Sequence, residues 1–535
     1  MEFDYVIVGG GSAGSVLAAR LTEDPSVTVC LLEAGGDGKG LITRLPFGTI
    51  ATITGRPKIN NWAYHTTPQS GLNGRRGFQP RGRTLGGSSA INAMLYIRGQ
   101  REDYDGWAAQ GCPGWGWDDL LPWFLKSEGN QRGNTPLHNG SGPLKVSDQQ
   151  SPRPLSHAFM RAGEECQIPR NDDFNGEVQE GIGLYQVTQF SGGARNGERC
   201  SAAAAYLHPV MSRHNLKIMT RTHATAIILD GRRATGVRFR QGSSMQEVRA
   251  RREVILSGGA FGSPQLLMLS GIGPARELRS SGIDVAHDLP GVGQNLQDHI
   301  DFVIPVFSDE TDTVGIGPIA ALRMAREFFR WTREGKGMMA TPFAEGGAFI
   351  RSSPDVDRPD LQLHFTLGVL DEHARKLHLG YGYSLHVCVL RPHSRGTVGL
   401  ESKDPMAPPA IDPKYFSDPR DMDVMIRGVR KTRAILDAPA LARYAKRELF
   451  AHEGQSDREI EAAIRARADT IYHPVGTCRM GSDDQSVVDL SLKVRGIDGL
   501  RVVDASVMPT LISGNTNAPT IAIAEKIAAE MRRQA

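Results

Sequence analysis

Apolar positions come in three rhythms along the chain. Asp4 to Val8 and the run VTVCLLE, ending at Glu33, are short and almost continuously apolar, as strands buried on both faces are. LQLHFTL and SLHVCVL, near residues 361 and 384, alternate apolar with polar or small residues and read as strands with one face in a core. Between Ile319 and Arg333 the period is helical: Arg323, Arg326, Arg330 and Arg333 recur at three, four and three residues, with Leu322, Met324, Phe328, Phe329 and Trp331 between them. TIAIAEKIAAEM near the end is a second helix, announced by Asn517 and by Pro519 in its first turn. No stretch reaches 18 apolar residues, so no membrane-spanning helix is expected.

A chain of 535 residues exceeds one simple core, so at least two domains with interleaved segments are expected. Net charge is +3, which argues against a nucleic-acid footprint. The six cysteines form neither CxxC nor zinc-type spacings, so no metal is expected and a reduced, cytoplasmic location fits. Strand-like residues from Asp4 leave no room for a signal peptide.

Composition says little about chemistry, but the 61 glycines cluster into motifs. After the first strand comes GGGSAGSVLAARL, in which Gly9, Gly11 and Gly14 make G-x-G-x-x-G. A strand before it, a helix after it and Glu33 at the end of the next strand complete the dinucleotide fingerprint. Gly9 allows the tight turn, Gly11 the approach of a pyrophosphate, and Gly14 close helix–strand packing. Ser12 and Ala13 open the helix whose free N–H groups face the phosphates, and Glu33, followed by Ala34, is placed for ribose hydroxyls. The motif alone does not separate FAD from NAD. A second small-residue turn, GRTLGGSSAINAML, carries Arg83, Gly86, Gly87 and Ser88, followed by helix-forming residues that include Ile91, Asn92, Ala93 and Met94. A third segment, GAFGSPQLLMLSGIG, follows the strand VILSGG.

With these segments the chain resembles the glucose–methanol–choline oxidoreductases, FAD-dependent alcohol oxidases and dehydrogenases. The signatures G-R-x-L-G-G-S-S-x-I-N and G-A-x-x-S-P-x-L-L-x-x-S-G-I-G both match, and NLQDH, RPHSRGTVGL, HPVGTCRMG and VVDASVMPT extend the likeness over nearly the whole chain. It is closest to bacterial dehydrogenases of aliphatic alcohols or polyethylene glycols and to choline dehydrogenases. The resemblance implies an α/β fold: a Rossmann-like FAD domain from residues 1–149, 211–296 and 463–535, and an antiparallel-sheet (α+β) substrate domain from 150–210 and 297–462. It implies FAD along residues 86 to 93. Ile91 replaces the histidine that some members link covalently to the flavin, so the FAD is expected to be non-covalent. Ala224, Asp504, Ala505 and Thr520 are implied as further cofactor neighbours.

The resemblance also implies a catalytic histidine, His473, and a second residue read as Asn517 in SGNTNAPT, which also adjoins the cofactor. A neutral imidazole suits removal of a hydroxyl proton, and an amide suits the forming alkoxide. The flavin N5 takes the hydride. Pro474 and Gly476 constrain the histidine. Asp298 and His299 read as a structural joint, His223 as a backbone neighbour of adenine, and Phe343 with Glu345 as substrate wall. A Glu345 that faced the substrate would favour choline; otherwise neutral alcohols lead. The expected reaction is oxidation of a primary alcohol to the aldehyde, with electrons passed to a quinone or another non-oxygen acceptor. Choline oxidation, an oxygen-using oxidase and a flavin-bearing hydroxynitrile lyase are the alternatives. The arginine stripe reads as a solvated face, with contact to an anionic membrane as the sharper reading.

Overall fold

The computed structural model describes residues 1–450 and 456–534. Two seven-stranded sheets dominate it. In the first, β1 (Glu2–Val8), β2 (Val29–Leu32), β3 (Leu216–Met219), β4 (Thr222–Asp230), β5 (Arg233–Gln241) and β6 (Ser244–Leu256) lie in the order β3-β2-β1-β6-β5-β4. Strands β3, β2, β1 and the end of β6 are parallel, and Leu500–Val502 adds a parallel neighbour to β6. Helices α1 (Ser12–Leu21) and α2 (Gly259–Leu269) begin just beyond the carboxyl ends of β1 and β6. Parallel strands covered by helices must be apolar on both faces, as Tyr5 to Val8 and Val29 to Leu32 are.

The second sheet is antiparallel. Its core strands β7 (Ile300–Ser308), β8 (Ala344–Ile350), β9 (Leu361–Thr366) and β10 (Tyr381–Val389) run in the order β7-β10-β9-β8, with Gly181–Leu184 beyond β8. Period-two alternation sorts its faces. Ile300, Phe302, Ile304, Leu361, Leu363, Phe365, Leu385 and Val387 fill one core. The alternate positions Asp301, Val303, Pro305, His364, Thr366 and His386 face a cavity between the two sheets.

Two expected domain boundaries are displaced. Residues 200–207 pack into the core of the first sheet, and Asp469–Thr470 hydrogen-bonds to β7 in the second. The helix expected at Ile91–Leu95 does not form: a 3₁₀ turn ends at Ala90, the Asn92 side chain accepts the Met94 N–H at 3.0 Å, and Met94 is left-handed with φ of 62°. Asparagine's own side chain outcompetes the helix there. The arginine-rich helix is present as α3 (Pro318–Glu334), and the C-terminal one as α4 (Asn517–Gln534). Among the described residues no helix is long and apolar enough to cross a membrane.

Candidate active site

A cavity of about 540 Å³ runs from the carboxyl ends of β1 and β2 to the polar face of the second sheet. Its first half is the dinucleotide cradle. Gly9, Gly11, Ser12, Ala13, Glu33, Ala34, Gly87, Ser88, Asn92, Ala93, Met94, Ala224, Asp504, Ala505, Asn517 and Thr520 all stand in the wall. Gly14 does not; a side chain there would put its Cβ 1.9 Å from the Gly9 carbonyl, so it serves helix–strand packing. Gly86 also lies behind the wall, its N–H bonded to the Gly10 carbonyl at 2.7 Å. Arg83 is exposed, and its guanidinium lies over the Trp62 ring at 4.6 Å, a ring that itself stands in the wall.

The cradle fits a dinucleotide. A Cβ on Gly87 would lie 2.7 Å from Gly11 Cα, so two glycine backbones meet in the cavity wall, where any larger residue would force them apart. Glu33 accepts the N–H groups of Gly10 at 3.0 Å and Gly35 at 2.7 Å, holding its carboxylate at the far end. Asp504, in the wall, is also held by protein donors. Its oxygens accept from Ser263 Oγ, Gly259 N, Ser506 N and Ser506 Oγ at 2.5–2.8 Å, which ties α2 to the 504–506 turn. Ile91 lines the cavity and has no nucleophilic atom for a covalent link.

His473 lies where cradle and substrate chamber meet. A bridge between Gln297 and Val475 brings the NLQDH and HPVG segments side by side, and Asp298 Oδ1 accepts the His473 N–H at 2.8 Å. Asp298 also accepts from Thr470 Oγ1 and Tyr415 Oη, both at 2.6 Å, so it is the expected structural joint. Gly476 has φ of 91° and closes the turn.

His299 does more than brace. Its Nε2 is 2.9 Å from the Leu390 carbonyl, which only accepts, so Nε2 carries the hydrogen. Burial lowers the His299 pKa to about 4, leaving Nδ1 bare. His473 Nδ1 lies 2.9 Å from it and must therefore donate. Burial first, then the neighbouring His299, His364 and Arg81, hold His473 well below the ordinary imidazole range. Its proton thus sits on Nδ1, and Nε2 carries the bare lone pair.

The amide facing that nitrogen is Asn515, not Asn517. Asn515 Nδ2 is 3.1 Å from His473 Nε2, and Gln362 Nε2 donates to Asn515 Oδ1 at 3.2 Å, which orients the amide. Asn517 instead accepts from Ser12 Oγ at 2.7 Å. As the first residue of α4 it is turned toward α1, while Asn515, two residues earlier in the loop, reaches the imidazole. Both asparagines stand in one short motif, and only the helix start tells them apart.

The chamber beyond His473 is apolar at Val303, Pro305, Phe343 and Leu370. Its polar members were unmarked in the sequence except by strand alternation. His386 Nδ1 bonds Asp301 Oδ2 at 2.7 Å, leaving Asp301 Oδ1, His386 Nε2 and both nitrogens of buried His364 without protein partners. Glu345 is outside the chamber wall: Oε2 accepts from Ser156 Oγ at 2.7 Å and Arg153 N at 2.8 Å.

Two sequence profiles of the GMC oxidoreductase family match residues 3–301 and 392–524. The chain belongs to this family. An "Alcohol dehydrogenase [acceptor]" of Pseudomonas putida is 50% identical over 98% of this GMC oxidoreductase and 95% of its own length. The mitochondrial choline dehydrogenase of Homo sapiens is 44% identical over 98% and 89%. Among solved structures, pyridoxine 4-oxidase from "Mesorbium loti" superposes with a TM-score of 0.88 at 32% identity, covering 99% of both chains. An FAD-dependent oxidoreductase from Chaetomium thermophilum gives 0.89 at 29%, also over 99% of both. The cofactor of this GMC oxidoreductase is FAD, held without a bond from Ile91.

One consequence is a pH profile. Because burial disfavours the imidazolium, His473 stays unprotonated as pH falls below 6.5, its ordinary value. The acid limb of kcat/KM for alcohol oxidation is expected below that pH. A limb at or above it would show that His473 is protonated at rest and is not the base.

Proposed function

We propose that this enzyme oxidises a neutral primary aliphatic alcohol to the aldehyde and passes the electrons to a quinone rather than to oxygen. The observation that carries the chemistry is the bare Nε2 of His473 paired with the oriented Asn515 amide inside the cavity. FAD supplies the hydride acceptor. His473 Nε2 takes the hydroxyl proton, and Nδ1 stays bonded to His299, so the ring does not rotate as it charges. The second N–H of the Asn515 amide is free to hydrogen-bond the developing alkoxide. Arg81, anchored by its 2.9 Å bond to the Tyr472 carbonyl, adds positive charge nearby.

Neutral substrates are favoured over choline because, among the described residues, each carboxylate of the substrate chamber has a basic side chain beside it, with Asp301 Oδ1 the one oxygen left over. Asp301 bonds His386, Asp371 bonds His378 at 2.9 Å, Asp469 lies 3.0 Å from His373, and Glu372 pairs with Lys376 at 2.5 Å. A trimethylammonium group would share carboxylates already beside basic side chains, which weakens its attraction. The non-oxygen acceptor is supported by the relative whose name specifies one.

The test is anaerobic reduction with primary alkanols and choline, followed by reoxidation with air or a quinone. Alkanols are expected to bleach the flavin at substrate concentrations where choline does not, and quinone to restore it faster than air. Preferential reduction by choline would overturn the substrate class, and faster reoxidation by air the acceptor. No reduction by any alcohol would overturn the reaction.

A further inference from the structure

Helix α3 turns two unlike faces to its surroundings. Inward, Trp331 packs with Met339 and Ala340 against Met324, Phe328, Leu45 and Phe47, and its Nε1 donates to the Gly197 carbonyl at 2.9 Å. Outward, Ile319, Leu322, Arg326, Phe329 and Arg333 follow one another at spacings of three and four, forming a single stripe. Its apolar members are 77% (Ile319), 75% (Leu322) and 66% (Phe329) exposed. The arginine stripe expected from the sequence is therefore divided: Arg323 bonds Asp312 at 2.7 Å, Arg330 bonds Glu334 at 3.3 Å, and Arg326 and Arg333 stand among the apolar side chains.

The stripe continues onto a second segment. Ile316, just before α3, bridges to Gly380, and the loop that ends there exposes Leu377 by 71% and Leu379 by 78%. Six of the twelve large apolar side chains exposed among the described residues belong to these two segments. Scattered exposure needs no explanation, but a contiguous cluster marks a surface that meets something. Charge says what. Arg326, Arg333 and Lys336 are exposed and have no acidic partner among the described residues. The same holds for Arg56 and Lys58, and Arg56 lies within electrostatic reach of Arg375 in the loop. Apolar side chains interleaved with unpaired cations suit a bilayer with anionic headgroups, the apolar tips entering the acyl boundary and the basic groups meeting phosphates.

This surface borders the cavity. Residues 370–374 and Lys376, in the loop that carries Leu377, line it, as do Thr49, Ile50 and Ile53, which follow the turn under α3. We propose that the outward stripe of α3 and the tip of the 377–379 loop seat the enzyme on an anionic bilayer, with the cavity mouth at the lipid. Apolar alcohols and a lipid-borne acceptor would then reach the site without crossing bulk water. That last consequence rests on the proposed function; the docking surface does not.

The test is flotation of the FAD-loaded enzyme with vesicles of phosphatidylglycerol and phosphatidylcholine, or of phosphatidylcholine alone. Wild type is expected to float with the anionic vesicles and less with the neutral ones. Leu322→Glu with Phe329→Glu should lower the bound fraction at least about tenfold. Arg326→Glu with Arg333→Glu should abolish the preference for anionic lipid. Oxidation of a short water-soluble alcohol with a soluble dye should be unchanged in all of them, which separates docking from turnover. Wild type that ignores both vesicles, or a Leu322→Glu/Phe329→Glu variant that binds as well as wild type, overturns the proposal. So does a wild-type dimer that ignores vesicles and that this variant makes monomeric, since the stripe would then join two copies. Intact vesicle binding without oxidation of any alcohol would overturn the proposed reaction and leave the docking surface standing.

Discussion

Replacing His473 by alanine is expected to slow anaerobic reduction of the bound FAD by alcohol about 10²–10⁴-fold, the range for loss of a positioned base. The fall should appear in the reduction step itself, measured by stopped flow. FAD should stay bound, because the cradle is built from other segments: the turn at Gly9 to Ala13, residues 87 to 94, and the 504–505 turn. The imidazole is held from three sides, by Asp298 on its backbone, His299 on Nδ1 and Asn515 on Nε2. Its removal leaves a hole of the right shape, so added imidazole should restore part of the rate. Near-normal reduction by the FAD-loaded variant would refute the assignment.

The second large effect separates two asparagines two residues apart. Asn515→Ala removes the amide beside Nε2 and should lower kcat/KM about 10²–10³-fold, as loss of one donor to a developing oxyanion does. Asn515→His, which keeps a donor, should recover much of it. Asn517→Ala should leave alcohol oxidation close to wild type. Besides its place in the cofactor wall, it loses the bond to Ser12 Oγ, a contact that contributes about 0.5–1.5 kcal/mol to stability, which thermal unfolding would detect. Equal kinetic losses in Asn515→Ala and Asn517→Ala would remove the distinction drawn from the geometry. The pair also tests how the site works. A base and an amide that share one hydrogen bond act as a unit, so Asn515→Ala in the His473→Ala background should cost much less than it does alone.

Much of the architecture was legible because its signals are local. A strand, three glycines at fixed spacing, a helix and an acid at the next strand end must lie together in sequence to work, so the cradle can be read residue by residue. Gly14 shows the limit. Its spacing belongs to the motif, yet it packs helix on strand and touches no cavity. Arg83 and Asp504 show another: only the structure reveals that one lies over Trp62 and that the other bonds Ser263 and Ser506. Sequence proximity fixes where the backbone is, not where a side chain finds its partner.

Alternation in LQLHFTL and SLHVCVL was enough to predict strands with one buried face, and it puts His364 and His386 on the other. That this other face is the chamber of the site, and that His386 there hydrogen-bonds Asp301 from β7, follows only from the pairing of β7 with β10, whose partners, such as Asp301 and Cys388, are far apart in the chain. Glu345 was legible as an acid near a substrate wall, but its contacts with Ser156 and Arg153 come from a helix nearly 200 residues earlier.

The sequence by itself determined the nucleotide cradle, the strand patterns of the two sheets and the amphipathic and C-terminal helices, since each is carried by periodicity or by a motif within a few residues; His473 was singled out by the resemblance that its motif carries. Tertiary structure decided which asparagine serves that histidine, which nitrogen is bare and which apolar stripe faces outward. Those depend on the start of α4, on the Leu390 carbonyl behind His299, and on what α3 packs against. Each is a contact between segments distant in the chain, and no local pattern records it. TIYHPVGTCRMG holds the proposed base; 174 residues away, His299 determines that its lone pair is on Nε2.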